Sequence, residues 1–203
     1  MDTEKPSSQK KRKPKTPKKI NERYLYNAGL YYLKRYTASI EHFKGVMRRK
    51  IKKSCDHHTD QDFGACLTML DAATDRLVDE GFLDDEAYTR GMVTSLRRKG
   101  KSHKLIAQKL RTKGLAPDLI HSELESFDEY FVTPDRDGDI SADFKAALIH
   151  ARKKRLGPYN AKPASDELYK RGLGSLARAG FSYETAKRVM DLPQEDLQNM
   201  PMT

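Results

Sequence analysis

Phe63, Leu67, Leu70, Thr74 and Leu77 recur at steps of four and three, the spacing of one helix face. From residue 21 onward this period dominates, and no run of alternating β-branched residues interrupts it. The pattern predicts helices at 22–36, 39–53, 62–80, 84–99, 102–113, 117–128, 140–154, 165–179 and 182–191. Gly81 suits a helix end. Asp84 suits the cap of the next helix, with Asp85 and Glu86 in its first turn. Pro117 suits the first position of another. The fold class is therefore all-α, with about nine helices.

The pattern also repeats. With Leu33, Leu96 and Leu176 aligned, Arg35, Arg98 and Arg178 follow two residues later and Ser39, Ser102 and Ser182 six later. Phe43, Ile106 and Ala186 follow at ten, and Met47, Leu110 and Met190 at fourteen. Leu30, Val93 and Leu173 precede by three. Each copy reads as a helix, a tight turn and a helix. The Arg lies in the last turn of the first helix, where a cation offsets the dipole. Gly100 and Gly180 close that helix, with Thr37 at the same place in the first copy, and the Ser caps the second. The copies start 63 and 80 residues apart, which leaves room for further helices between pairs. An array of small similar units should be elongated, each touching mainly its neighbours.

GFLDDEAY at 81–88 and SLRRKGKSHKLIAQKLRTKG at 95–114 resemble the central signature of the RecX family of recombinase regulators. YLKRYTASIEHF at 32–43 and LARAGFSYETAKRVM at 176–190 resemble its first and third repeats. The likeness spans about residues 22–191. It implies three tandem three-helix repeats in a curved, extended monomer: repeat 1 at 21–80, repeat 2 at 81–130, and an acidic linker with repeat 3 at 131–203. It also implies a partner, the RecA-type recombinase filament on single-stranded DNA, whose strand exchange, ATP hydrolysis and co-protease activity such proteins restrain.

Charge adds a candidate surface. The net formal charge of the 203 residues is +10. Residues 1–19 hold eight Lys or Arg against Asp2 and Glu4, and residues 1–20 read as a disordered basic tail. Nine basic residues and no acid lie between Arg90 and Lys113, and six with no acid between Lys44 and Lys53. Residues 115–143 instead carry nine acids and only Arg136. Such sorting makes strong local fields and steers a basic face toward phosphates or acidic protein. The candidate binding residues are Arg97, Arg98, Lys101, Lys104, Arg111 and Lys113, with Arg48, Arg49 and Lys50 in the first repeat. A solvated face without a partner is the competing reading, and Arg35, Arg98 and Arg178 equally suit structural helix ends. Lys109 stands where the other copies have Val46 and Val189, so it suits a side chain snorkelling from the core edge.

Other chemistry is weaker. Cys55, His57, His58 and Cys66 match no standard zinc spacing. TPDRDGDISADF at 133–144 echoes a calcium loop but has Thr133 and Phe144 where Asp and Glu are needed. Adjacent Asp84 and Asp85 point apart on a helix and suit capping better than catalysis. No Gly-rich phosphate loop with its Lys and Ser/Thr is present, so neither ATP hydrolysis nor a cofactor is expected. Two cysteines, and no apolar stretch of about 18 residues, suit a reducing cytoplasm and no membrane span. A non-specific DNA-binding or nucleoid-associated protein is the alternative reading.

Overall fold

Eight helices begin on an Asn, Asp or Ser side chain that accepts the backbone N–H three residues on. Each such cap contributes about 1 kcal/mol. The computed structural model describes residues 16–131, 141–161, 163 and 165–199. Among these there are nine α-helices and no strand. They are α1 Glu22–Leu33, α2 Ile40–His57, α3 Phe63–Asp79, α4 Asp85–Arg98, α5 His103–Arg111, α6 Pro117–Phe131, α7 Ala142–Lys154, α8 Asp166–Arg178 and α9 Tyr183–Met190. Short 3₁₀ turns occupy Gly157–Tyr159 and Gln194–Asn199. The all-α fold expected from the periodicity is the fold observed.

Helix ends explain why the sequence looks periodic. A Leu four residues before a left-handed Gly closes α3, α4, α5 and α8, at Leu77–Gly81, Leu96–Gly100, Leu110–Gly114 and Leu176–Gly180. In each, the N–H just beyond the Gly donates to the Leu carbonyl, a Schellman closure. α7 closes the same way, with Leu156 N–H on Ala151 O at 2.9 Å. There the left-handed residue is Arg155, at φ 53°, a conformation costing a non-glycine residue about 1–2 kcal/mol.

Packing falls into three groups. α3 packs on both α1 and α2, α6 on both α4 and α5, and α9 on both α7 and α8. Each group closes its own apolar cluster. The first is built on Leu25, Phe43, Met47, Ile51, Leu70 and Leu77. The second is built on Val93, Ile106, Leu110, Ile120 and Leu124. The third is built on Phe144, Leu148, Leu176 and Val189.

This packing corrects the third copy of the sequence repeat. α8 is the middle helix of its group, like α2 and α5. The serines that cap these middle helices are Ser39, Ser102 and Ser165, each 63 residues after the last. Ser182 caps the third helix of its group instead. The alignment slipped by one helix because it followed the Leu-to-Gly closure, which ends α5 as well as α4.

Adjacent groups meet at two junctions of the same design. At the first, the Ser39 hydroxyl donates to the Lys113 carbonyl, and Asp85 accepts from Ile40 N–H at 2.9 Å. At the second, the Ser102 hydroxyl donates to the Ala179 carbonyl at 2.7 Å, and Asp143 accepts from His103 N–H at 2.8 Å. α2 and α5 thus have their first free N–H groups satisfied partly by their own Ser and partly by the next group. Ser39 and Ser102 are fully buried, whereas Ser165 is exposed.

The expected tail is shorter than residues 1–20. Pro17 O lies 2.9 Å from His58 Nε2, Lys18 O accepts from Ser54, Lys19 pairs with Asp60, and Ile20 is buried. One apolar side chain, three carbonyls, the Ile20 N–H and one ion pair anchor this stretch. Residues 1–15, and residues 133–140 of the calcium-like segment, lie outside the described residues.

Candidate partner-binding face

Ile106, Ala107 and Leu110 turn one side of α5 into the second cluster. The opposite side carries Lys104, Gln108 and Arg111, all exposed and spaced four and three apart. Lys101 and Lys113 flank the helix and are half-buried. On α2, Phe43, Met47 and Ile51 take the inner face and leave Arg48, Arg49 and Lys50 exposed. Arg48 is ion-paired with Glu41 at 2.6 Å. Arg98 is exposed at the end of α4, beside a shallow depression that Arg90 and Lys99 also line.

Arg97 does not belong to this face. It is 4% exposed, and its guanidinium bridges Asp128 on α6 and Asp143 on α7. Read by charge alone it matched Arg98, but successive residues on a helix lie about 100° apart. Arg97 turns inward while Arg98 turns out. Burial raises the Asp128 carboxyl above its ordinary value even though Arg97 pulls it down. Arg97 is a structural cation of the second junction.

Two histidines mark where the basic segments meet. His42 on α2 is pushed below its ordinary value by burial and then by the charges of Lys113 and Arg49. His150 on α7 is pushed down by burial and then by Lys101, Lys154 and Lys153. The cations of α2 therefore adjoin the end of α5 at the first junction. Those at the start of α5 adjoin α7 at the second. Lys153 also donates to the Lys99 carbonyl at 3.0 Å, which draws the ends of α4 and α7 together.

The run Arg152, Lys153, Lys154, Arg155 is exposed and continues the basic surface. Sequence reasoning passed over it, although four consecutive cations were a visible signal. The repeated Arg positions diverge. Arg98 and Arg178 lie in last helical turns, whereas Arg35 lies beyond α1 and stacks over Tyr31 at 4.8 Å. Lys109 is exposed.

Asp84 caps α4 through Ala87 N–H, and Asp85 is occupied by Ile40 N–H. Cys66 is buried, and burial first, then neighbouring Cys55, raises its thiol above the ordinary value. Among the described residues no three His, Cys, Asp or Glu side chains converge as metal ligands, and no helix is long and apolar enough to cross a membrane.

Fold and surface together define a class: an all-helical array of three-helix units joined by capped junctions and bearing basic ridges. Within that class, the chain belongs to the RecX family of regulatory proteins. It is 40% identical over 187 residues to the Regulatory protein RecX of Myxococcus xanthus (strain DK1622), covering 92% of this chain and 94% of that one. It is 32% identical over 118 residues to the Regulatory protein RecX of Agrobacterium fabrum (strain C58), covering 58% and 56%. A family model described as "RecX, second three-helix domain" matches residues 84–124. The crystal structure of RecX from Lactobacillus salivarius shares the fold, with a TM-score of 0.59, 18% identity, and coverage of 88% of this chain and 97% of that one. The resemblance read from residues 81–114 is thereby borne out.

Proposed function

We propose that this chain is a non-enzymatic, cytoplasmic regulator that binds a RecA-type recombinase filament on single-stranded DNA and restrains its activity. The exposed cationic ridge of α5, continued onto α2 and α7 across the two junctions, carries this reading. A nucleoprotein groove presents phosphates and acidic protein, and a ridge of this sign is drawn into it with release of counterions. The contact residues in this reading are Arg98, Lys101, Lys104, Arg111 and Lys113, with Arg48, Arg49 and Lys50. The stretches 21–80, 81–130 and 131–203 serve as successive units of one monomeric wedge. Its mechanism is occupancy: binding energy shifts filament assembly and obstructs the second DNA.

Co-sedimentation with recombinase–single-stranded DNA filaments tests the proposal. The wild-type chain should pellet with filaments, and Lys101→Glu/Lys104→Glu/Arg111→Glu should remain in the supernatant. Equal pelleting of both would overturn the assignment of the ridge. The same ridge would also suit non-specific binding to bare DNA. In that case strand exchange would fall only at protein levels that coat the DNA, whereas filament binding acts well below them.

A further inference from the structure

Beyond the ridge, the third unit holds a cavity of about 620 Å³ between the end of α7, the Gly157–Tyr159 turn and α8. This lies within the roughly 300–1,000 Å³ of small-molecule sites. Lys154, Arg155, Arg171 and Arg178 line it, and no acid does. None of the four pairs with a carboxylate among the described residues. Arg171, Ser175 and Arg178 stand four and three apart on α8 and so share one face. Asp191, which follows α9, is occupied: it accepts from Tyr169 at 2.7 Å and pairs with Lys187 at 2.9 Å.

Leu156, Pro158, Met190 and Leu192 add apolar lining, and Asn160, Ser165, Tyr169, Ser175 and Gln194 add polar lining. Met190 is fixed there because its methyl lies 2.4 Å from where a Cβ on Gly172 would be. The cations of this lining suit a concentrated negative charge, and its apolar residues suit a flat, weakly polar ring.

Arg155 supplies an independent observation. The other closures of this type use Gly at the left-handed position, whereas α7 uses Arg at φ 53°. A side chain is kept where the backbone favours none, and that side chain lines the cavity. Strain of this kind collects at functional sites.

We propose that this cavity binds a nucleotide, with its phosphate among Lys154, Arg155, Arg171 and Arg178 and its base against Pro158, Met190 and Leu192. The site goes beyond the filament reading, since it requires no recombinase; it shares Lys154 and Arg155 with the α7 end of the basic surface and adds Arg171 and Arg178 of α8. The phosphate ester can come from a free nucleotide or from a unit of a single strand.

Calorimetric titration of the full chain, without recombinase, with thymidine 5′-monophosphate, ATP and a short oligothymidylate separates these sources. Saturable binding is expected for at least one of the three. Arg155→Gly should weaken it several-fold while the thermal midpoint stays equal or rises, because Gly relieves the backbone. Arg171→Gln/Arg178→Gln should weaken it about tenfold or more. Lys104→Glu, on the ridge, should leave mononucleotide binding unchanged. Preference for ATP identifies a free nucleotide, and binding of oligothymidylate alone that is sensitive to Arg155→Gly identifies a strand. Absence of binding by all three ligands, or wild-type affinity in both cavity variants, would overturn the site without touching the co-sedimentation result.

Discussion

Arg97 and Asp143 are joined across the junction between the second and third units, the guanidinium on the inside and the carboxylate also accepting from His103 N–H. Two carboxylates depend on this one cation. Replacing Arg97 with Ala should destabilise the protein by about 3 kcal/mol, the lower end for a broken buried ion pair, because both acids keep partial access to water. Arg97→Lys should recover little, since a single ammonium cannot reproduce a planar bridge. Arg98→Ala should be nearly silent. Urea unfolding of the three variants checks the order.

Gly114 and Gly81 separate backbone cost from steric cost. Both have φ above 70°. An added Cβ at Gly81 meets nothing within 4 Å, whereas at Gly114 it would lie 2.5 Å from Glu41 Cβ. Gly81→Ala should cost about 1 kcal/mol. Gly114→Ala should cost about 2–3 kcal/mol, because overpacking is added. Equal losses in thermal midpoint would refute the close approach of α5 to α2.

Ser102 and Ser165 cap equivalent helices in different settings. Ser102 is buried and also donates to Ala179 O, whereas Ser165 is exposed. Ser165→Ala should cost about 1 kcal/mol for the cap. Ser102→Ala should cost about 1 kcal/mol more, since the half-buried Ala179 carbonyl loses its donor. Denaturant titration gives both numbers.

His42 and His150 both have folded values below their ordinary 6.5. Below that pH the unfolded chain takes up protons that the folded chain refuses. Stability should therefore fall as pH drops through 6.5 and level off once the depressed folded values are passed. A bound polyanion reverses the preference by favouring the imidazolium, so filament binding should tighten over the same interval. His150→Gln should flatten part of both profiles, measured as unfolding midpoint and as fraction pelleted at pH 7.5 and 5.5.

Local rules made most of the helices legible. Caps at Asp84 and Ser102 and closures at Gly81, Gly100 and Gly180 each mark a boundary using a few adjacent residues. The grouping of helices was less legible, because a Leu-to-Gly closure announces that a helix ends and not which member of a triplet it is. Ser165 was hidden this way, behind the stronger likeness of Ser182 to Ser39 and Ser102. The ridge showed through because runs of Lys and Arg need no tertiary information. The inward turn of Arg97 did not, since its two acids lie 31 and 46 residues away. The Lys154–Arg178 cavity was equally invisible, being assembled from four separate segments.

The junctions at Ser39 and Ser102 combine hydrogen bonds, one bridged cation at the second, and glycines set against the neighbouring triplet, as Gly100 is against Ile149, while the three apolar clusters each lie within a triplet. Tilting one triplet against the next therefore disturbs these junction contacts first and leaves the three apolar clusters whole. Such a body bends at its joints as a spine does, with every vertebra intact.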